Sequence, residues 1–278
     1  MPHAPNSEKQ NSLSQQQTSL IDIVLPAGGR ISGSFAEAAG TEFKALTMWQ
    51  GSTLLSKTIL SLRRSGVANR IVVVGPDEVM AEAADLGAEC IKEGNSGPDN
   101  LFLGLQKILE EQTAASGKVL ICASDLPMLS SDSILWFVRN SPADADITVP
   151  VITASSYESA YPKSGSVYVP LKDGAATMGC LFLIQPAAIM NQRQKIDEAF
   201  SSRKSQWNTF RMLGPMFLLK YITRQLTISD IEQRCEAILG WRGRAVRNAP
   251  PDLACDIDSC EDYLYTLKIF STNEGTSE

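Results

Sequence analysis

The sequence predicts an α/β fold, three layers deep (α/β/α), on a mainly parallel sheet. Two observations carry this expectation. Short, almost wholly apolar runs alternate with amphipathic stretches of about ten residues as far as Val151, the pattern of parallel strands covered on both faces. The first run, Ile21–Leu25, stops at a glycine pair, Gly28-Gly29. A buried strand opens into such a turn where backbone N–H groups must approach a ligand closely.

Each element follows in order. After the strand Ile21–Leu25, the segment Leu54–Ser65 reads as a helix, with Leu54, Leu55, Ile59 and Leu62 on one face and Gly66 closing it. Arg70–Gly75 is a second buried strand, Asp77–Leu86 a helix, Ala88–Ile91 a short strand, and Asn100–Gln112 an amphipathic helix. Lys118–Ser124 is the next apolar run, Ser131–Asn140 a helix, and Ile147–Val151 a further strand. Beyond Val151 the pattern changes. Tyr157–Pro170 alternates Tyr, Ser and Val around Gly and Pro and predicts a hairpin or an extended loop. Met178–Ile184 reads as a strand, Ile196–Leu239 as mostly helix, and Ala254–Asp258 as a last strand returning to the sheet. Residues 1–19, rich in Ser, Gln and Asn, predict a disordered tail, and Ser271–Glu278 a loose end.

Composition narrows the chemistry. The 278 residues fit one large domain or two small ones, and 44% hydrophobic with 20% charged residues is the balance of a soluble globular protein. A net charge of −6 argues against nucleic acid as a partner, which wants a basic face. The chain has no run of about 18 apolar residues, so no membrane span is expected, and its first residues carry no apolar signal region. Six cysteines without a C-x-x-C pair point to a reducing, cytoplasmic setting. The only histidine, His3, lies in the polar tail. Histidine acid–base chemistry, Ser-His-Asp hydrolysis and His-ligated zinc are thereby excluded. What remains is carboxylates, Lys, Arg, hydroxyls or a hard metal ion.

Three motifs carry that chemistry. Gly28 and Gly33 have the spacing of a P-loop, but Ser34 stands where its lysine belongs, and the G-x-G-x-x-G of a dinucleotide turn is broken as well. Arg30 and Lys44 place cations close to this turn, which suits a polyphosphate; a tight turn without a ligand is the alternative. Asp125 directly follows the run Lys118–Ser124 and precedes Pro127. At the carboxyl end of a strand it can hold Mg²⁺ between phosphate oxygens, or cap a turn. Asp256 and Asp258 alternate, so on a strand both point to one face, where they repel each other unless a cation lies between them; capping is again the alternative. Ser259 begins a helix, and Glu261 and Asp262 suit its first turn. Together the three motifs fit metal-assisted attack on an α-phosphate, which needs positioning and charge neutralisation more than a general base.

These residues resemble the MobA-like nucleotidyltransferases, a family that includes molybdenum cofactor guanylyl- and cytidylyltransferases, methylerythritol-phosphate cytidylyltransferase and sugar-phosphate nucleotidylyltransferases. The likeness rests on Leu25-Pro26-Ala27-Gly28-Gly29-Arg30 with Lys44, on Gly51–Leu55, on Asp125-Leu126-Pro127, and on Asp256-Ile257-Asp258-Ser259-Cys260-Glu261-Asp262. It covers Ile21–Val151 and Ala254–Leu267. The resemblance implies a Rossmann-like, glycosyltransferase-A-like nucleotidyltransferase fold in one domain, residues 20–270. Residues 20–151 would be its nucleotide-binding half, 152–253 the half facing the acceptor, and 254–270 the return to the sheet. It implies Mg²⁺-dependent transfer from an NTP to a phosphorylated small-molecule acceptor, with pyrophosphate released, in a protein that could be a homodimer. Leu25, Ala27, Gly28, Gly29, Gly94 and Asn100 would bind the nucleotide. Arg30 and Lys44 would act on the α-phosphate and the leaving pyrophosphate, and Asp125 and Asp258, with Asp256, would hold the metal. Arg203, Lys204 or Arg211 would meet the acceptor's phosphate. The family's downstream arginine is altered here, and Cys260 stands where proline is usual. A nucleotide-binding protein on the same fold that does not turn its ligand over is therefore the alternative reading, and an NAD(P) protein the more distant one.

Overall fold

The computed structural model describes residues 19–110, 117–202 and 214–274. The strands are β1 (Ile21–Pro26), a two-stranded hairpin of β2 (Met48–Trp49) and β3 (Ser52–Thr53), then β4 (Ala68–Gly75), β5 (Glu89–Lys92), β6 (Val119–Cys122), β7 (Ile147–Thr153), β8 (Ala176–Met178), β9 (Leu181–Ile184) and β10 (Gly243–Arg247). Apart from the hairpin they form one sheet in the order β10-β7-β9-β6-β1-β4-β5, with β8 beside β7. The β1–β4, β1–β6, β4–β5 and β7–β10 pairings are parallel; β9 runs antiparallel to β6 and β7, and β8 antiparallel to β7.

The continuous apolar runs have a simple cause. Successive side chains of one strand enter separate cores on opposite faces of the sheet. Ile23 and Leu25 of β1, Val73 of β4 and Leu120 of β6 meet helices α2 (Leu54–Arg64), α3 (Asp77–Asp85) and α5 (Ser131–Asn140). Val24, Val72, Val74, Val119 and Ile121 meet α4 (Gly97–Glu110) on the other face. Gly104 lets α4 settle on β1, since a Cβ there would strike the Val24 side chain. A smaller core joins helix α1 (Gly33–Ala39) to the last helix, Cys260–Glu274, through Phe35 stacked on Tyr263 at 5.7 Å, with Ile257 buried beside them.

The structure corrects several expectations. Tyr157–Pro170, expected as a hairpin or an extended loop, begins in a helix and only then runs on as a loop: Ala154–Ala160 is helix α6, capped by the Thr153 side chain accepting from Ser156 N, and Tyr157 is buried against the main core. Met178–Ile184 breaks in two because Gly179 lies against the Leu253 carbonyl, leaving no room for a Cβ. The segment Ala254–Asp258 is not a strand. Pro250 and Pro251 lead into a 3₁₀ turn, Pro251–Ala254, and a proline nitrogen donates nothing to a ladder. The strand that returns to the sheet is β10, hidden in sequence by its arginines. Gly33–Ala39, read as loop, is helix, and the last helix runs on through Ser271–Glu274. No helix among the described residues is long and apolar enough to cross a membrane.

One buried ion pair fastens the opposite end of β1. Asp22 is fully buried; its Oδ2 lies 3.1 Å from Arg70 Nη2 and its Oδ1 accepts from Asn69 Nδ2 at 2.7 Å. Removing Asp22 takes from Arg70 its closest carboxylate and leaves Glu89 at 3.7 Å, so Asp22→Ala is expected to cost about 3 kcal/mol in urea unfolding, the low end for breaking a buried pair. Parental stability in that variant would show that the pair contributes nothing net.

Candidate active site

The chain leaves β1 at Pro26 and turns at Gly28-Gly29. Leu25 is wholly interior, and Ala27 extends the ladder by donating its N–H to Val74 O at 2.8 Å. Gly28 is required by close approach: a Cβ there would meet the Glu93 carboxylate and, at 2.6 Å, Asn100 Nδ2. Asn100 is buried, and its Oδ1 accepts from Gly94 N at 2.8 Å. The loop before α4 is thus fixed against the glycine turn, and Gly28, Gly94 and Asn100 are brought together as one unit.

Lys44 lies on the other side of the turn. Its N–H donates to Gly29 O at 3.0 Å, and it opens a single 3₁₀ turn, Lys44–Leu46. The side chain reaches Asp125 Oδ2 at 2.5 Å and Asp258 Oδ1 at 2.6 Å. Burial alone would lower the Lys44 pKa; the charge and hydrogen bond of Asp125, then those of Asp258, outweigh it and raise it well above the usual lysine value. Lys44 is therefore a permanent cation.

Asp125 sits in the loop beyond β6, where Ser124 Oγ donates to Pro26 O at 3.2 Å and so ties that loop to the end of β1. Asp256 and Asp258 arrive from the far end of the chain. Ile257 donates its N–H to Asp125 O at 3.2 Å and buries its side chain in the small core, and the carboxylates on either side of it turn towards Asp125. Carboxylate oxygens of Asp125, Asp256 and Asp258 lie within 4.8 Å of one another. The alternation predicted for a strand thus operates in an extended loop. Asp125 Oδ1 is buried with no hydrogen-bond partner. Burial, then the charges of Asp125 and Asp258, push the Asp256 carboxyl up to about 6, although Lys44 opposes this. Asp262 is structural, as expected: its carboxylate accepts from Ser259 N at 2.8 Å while its own N–H donates to Ser259 Oγ at 3.1 Å, which caps the last helix.

Arg30 is already engaged. Its Nη1 donates to Gly28 O at 2.9 Å, its guanidinium pairs with Glu93, and it lies 4.7 Å from the centre of the Phe43 ring. Sequence reasoning missed Glu93 and Phe43, because no spacing links them to the turn. Beside the acidic cluster opens a cavity of about 360 Å³, lined among others by Asp256, Asp258, Tyr157, Thr177, Cys180 and Tyr265. Arg203, Lys204 and Arg211 lie outside the described residues.

A strand-end glycine turn with a half-buried lysine and a carboxylate cluster at the same edge of a mainly parallel sheet has a counterpart among known proteins. Residues 23–195 match the model of the MobA-like NTP transferase domain. The chain belongs to the MobA-like NTP transferase family. As a member it is a nucleotidyltransferase, and the matched segment contains the glycine turn, Lys44 and Asp125. Solved structures share its α/β fold. A hypothetical transferase from Thermus thermophilus superposes with a TM-score of 0.76 at 24% identity, over 87% of this chain and 99% of its own. A CMP:2-keto-3-deoxy-manno-octonic acid synthetase complexed with CTP gives 0.59 at 13% identity, over 92% of this chain and 100% of its own. The 4-diphosphocytidyl-2C-methyl-D-erythritol synthase of Anaerococcus prevotii gives 0.56 at 12%, over 91% and 99%. No curated protein matches the sequence.

Proposed function

We propose that this MobA-like NTP transferase joins an NTP to a phosphorylated small-molecule acceptor, releasing pyrophosphate with the help of Mg²⁺. The observation that carries the reading is the convergence of Asp125, Asp256 and Asp258, with the unpartnered Oδ1 of Asp125 among them. Carboxylate oxygens are the donors a hard divalent ion takes, and three carboxylates this close carry more negative charge than the single ammonium of Lys44 offsets. The donor set therefore fits Mg²⁺, held by Asp125, Asp258 and Asp256. When bound, the ion neutralises negative charge on phosphate oxygens.

The remaining roles belong to the chain. The turn of Gly28 and Gly29, on its base of Leu25 and Ala27, takes the triphosphate, and Gly94 and Asn100 shape the wall next to it. Lys44 and Arg30 supply positive charge to the α-phosphate and the departing pyrophosphate. An oxygen of the acceptor's phosphate attacks the α-phosphorus as the bond to the β-phosphate breaks. That oxygen is already ionised at neutral pH, so no histidine base is needed. The 360 Å³ cavity beside Asp256 and Asp258 receives the acceptor. Arg203, Lys204 and Arg211 are the cations proposed for its phosphate.

Pyrophosphate release tests the reading, with each common NTP set against sugar, polyol and pterin phosphates. The neighbours named for CMP and diphosphocytidyl products make CTP the first NTP to try. Release that requires both Mg²⁺ and one acceptor is the expected result. Tight NTP binding without release from any pair would favour the non-catalytic alternative.

The Asp256 carboxyl gives a second expectation. The folded protein keeps this proton up to about pH 6, whereas an unperturbed carboxyl releases it near 3.8. Between these values the folded state binds more protons than the unfolded state, so metal-free stability falls, on this group's account, as pH rises through that window. Divalent-ion binding runs the other way: it should strengthen from pH 5 to pH 7 and expel protons, which calorimetry in buffers of different ionisation enthalpy reads directly. Affinity that is flat across this range would remove Asp256 from the cation's ligands.

A further inference from the structure

Glu93 has no role in the reading so far, yet its carboxylate lies directly over the glycine turn. Its N–H donates to Gly75 O at 3.0 Å, which fixes it beside the end of β4. Its carboxylate occupies the space over Gly28 that a Cβ would fill. There it accepts from Arg30 Nη1 at 3.4 Å and, in a shorter contact, from Nη2. The same guanidinium donates to Gly28 O at 2.9 Å and rests on the Phe43 ring. These contacts use three of the five N–H donors of the guanidinium, on a side chain 41% exposed.

An arginine free in solvent loses side-chain entropy when it closes on a ligand, and ordering it beforehand removes that cost from binding. Three partners, one of them engaged through two hydrogen bonds, are more than a surface arginine needs for stability, since exposed ion pairs contribute little to folding. We propose that Glu93 is the positioning residue of the nucleotide subsite: it holds Arg30 across the Gly28–Gly29 turn, with its two remaining donors kept for a phosphate of the NTP. The proposal rests on the functional reading above, which places the triphosphate on this turn. Glu93 itself touches no substrate.

The test is binding of Mg-NTP to the full chain without acceptor, followed by intrinsic tryptophan fluorescence, for the parent, Glu93→Ala, Glu93→Gln, Arg30→Ala and the Arg30→Ala/Glu93→Ala double variant. Glu93→Ala should weaken binding about ten-fold, the scale of one well-placed charged hydrogen bond, and Glu93→Gln, which keeps an acceptor oxygen, by less. In the Arg30→Ala background the Glu93 change should do nothing further, since the two act as one unit. In turnover the loss should appear in kcat/KM for the NTP and disappear in the Arg30→Ala background. Melting temperatures close to the parent's are expected throughout; should Glu93→Ala unfold, Glu93→Gln with and without Arg30→Ala makes the same comparison. Parental NTP affinity in the Glu93 variants, or effects of Arg30 and Glu93 that simply add, would overturn the proposal alone. A parent protein that binds no Mg-NTP would overturn the functional reading, and this proposal with it.

Discussion

Asp125→Asn will lower pyrophosphate release by about 10²-fold or more and leave the fold in place, because the change removes charge where it is used and almost no volume. Asp125 is the middle of the site. It lies in the loop after β6, its Oδ2 meets Lys44, its carbonyl accepts from Ile257, and its Oδ1 is buried without a partner. An asparagine there keeps the shape, but it removes the stronger of the two charges that anchor Lys44 and offers a cation one neutral oxygen. The loss should appear in kcat with saturating NTP and excess Mg²⁺. Raising Mg²⁺ should recover only part of it, because Lys44 stays misplaced. Turnover equal to the parent's at ordinary Mg²⁺ would remove Asp125 from the chemistry.

Lys44→Met should be as damaging, through two separable effects. Activity should fall by about 10²–10³-fold, the range for removal of one preorganised electrostatic group. Metal-free stability should fall as well: Lys44 is the cation that now sits between Asp125 and Asp258, and without it Asp125, Asp256 and Asp258, within 4.8 Å of one another, have only their mutual repulsion. Mg²⁺ should then stabilise the variant by more than it stabilises the parent, because the ion restores the missing positive charge. Thermal melts with and without Mg²⁺ read this difference. An equal Mg²⁺ shift in both proteins would place the cation away from Lys44.

What could be read in sequence follows from which forces are local. The β1, β4 and β6 runs were legible because both faces of those strands are buried, so apart from Asp22 in β1 and Asn69 and Arg70 at the start of β4 their side chains are apolar and no period competes. The Asp256-Ile257-Asp258 alternation was legible as well, but not its setting: an extended loop alternates like a strand, and the prolines at 250 and 251 decide between them. β10, with arginine at 244 and 247, carries too little apolar content to announce a strand and owes its place to pairing with β7. Tyr157 and Tyr161 stand four apart and meet ring to ring, a helical contact hidden under an apparent two-residue period. At the site, Gly28, Lys44, Asp125 and Asp258 stood out because each breaks its surroundings. Glu93 did not: its meaning is a contact with Arg30, 63 positions away, and no local pattern encodes it.

On the proposed reading, carboxylates from the middle and the end of the chain seat a divalent ion next to a triphosphate bound at the first turn. Mn²⁺ titration followed by electron paramagnetic resonance, with and without the NTP that supports pyrophosphate release, reads this out. The account predicts stoichiometric Mn²⁺ binding that tightens with the nucleotide and is lost in both Asp125→Asn and Asp258→Asn. Binding that survives both substitutions, or that ignores the nucleotide, would contradict it.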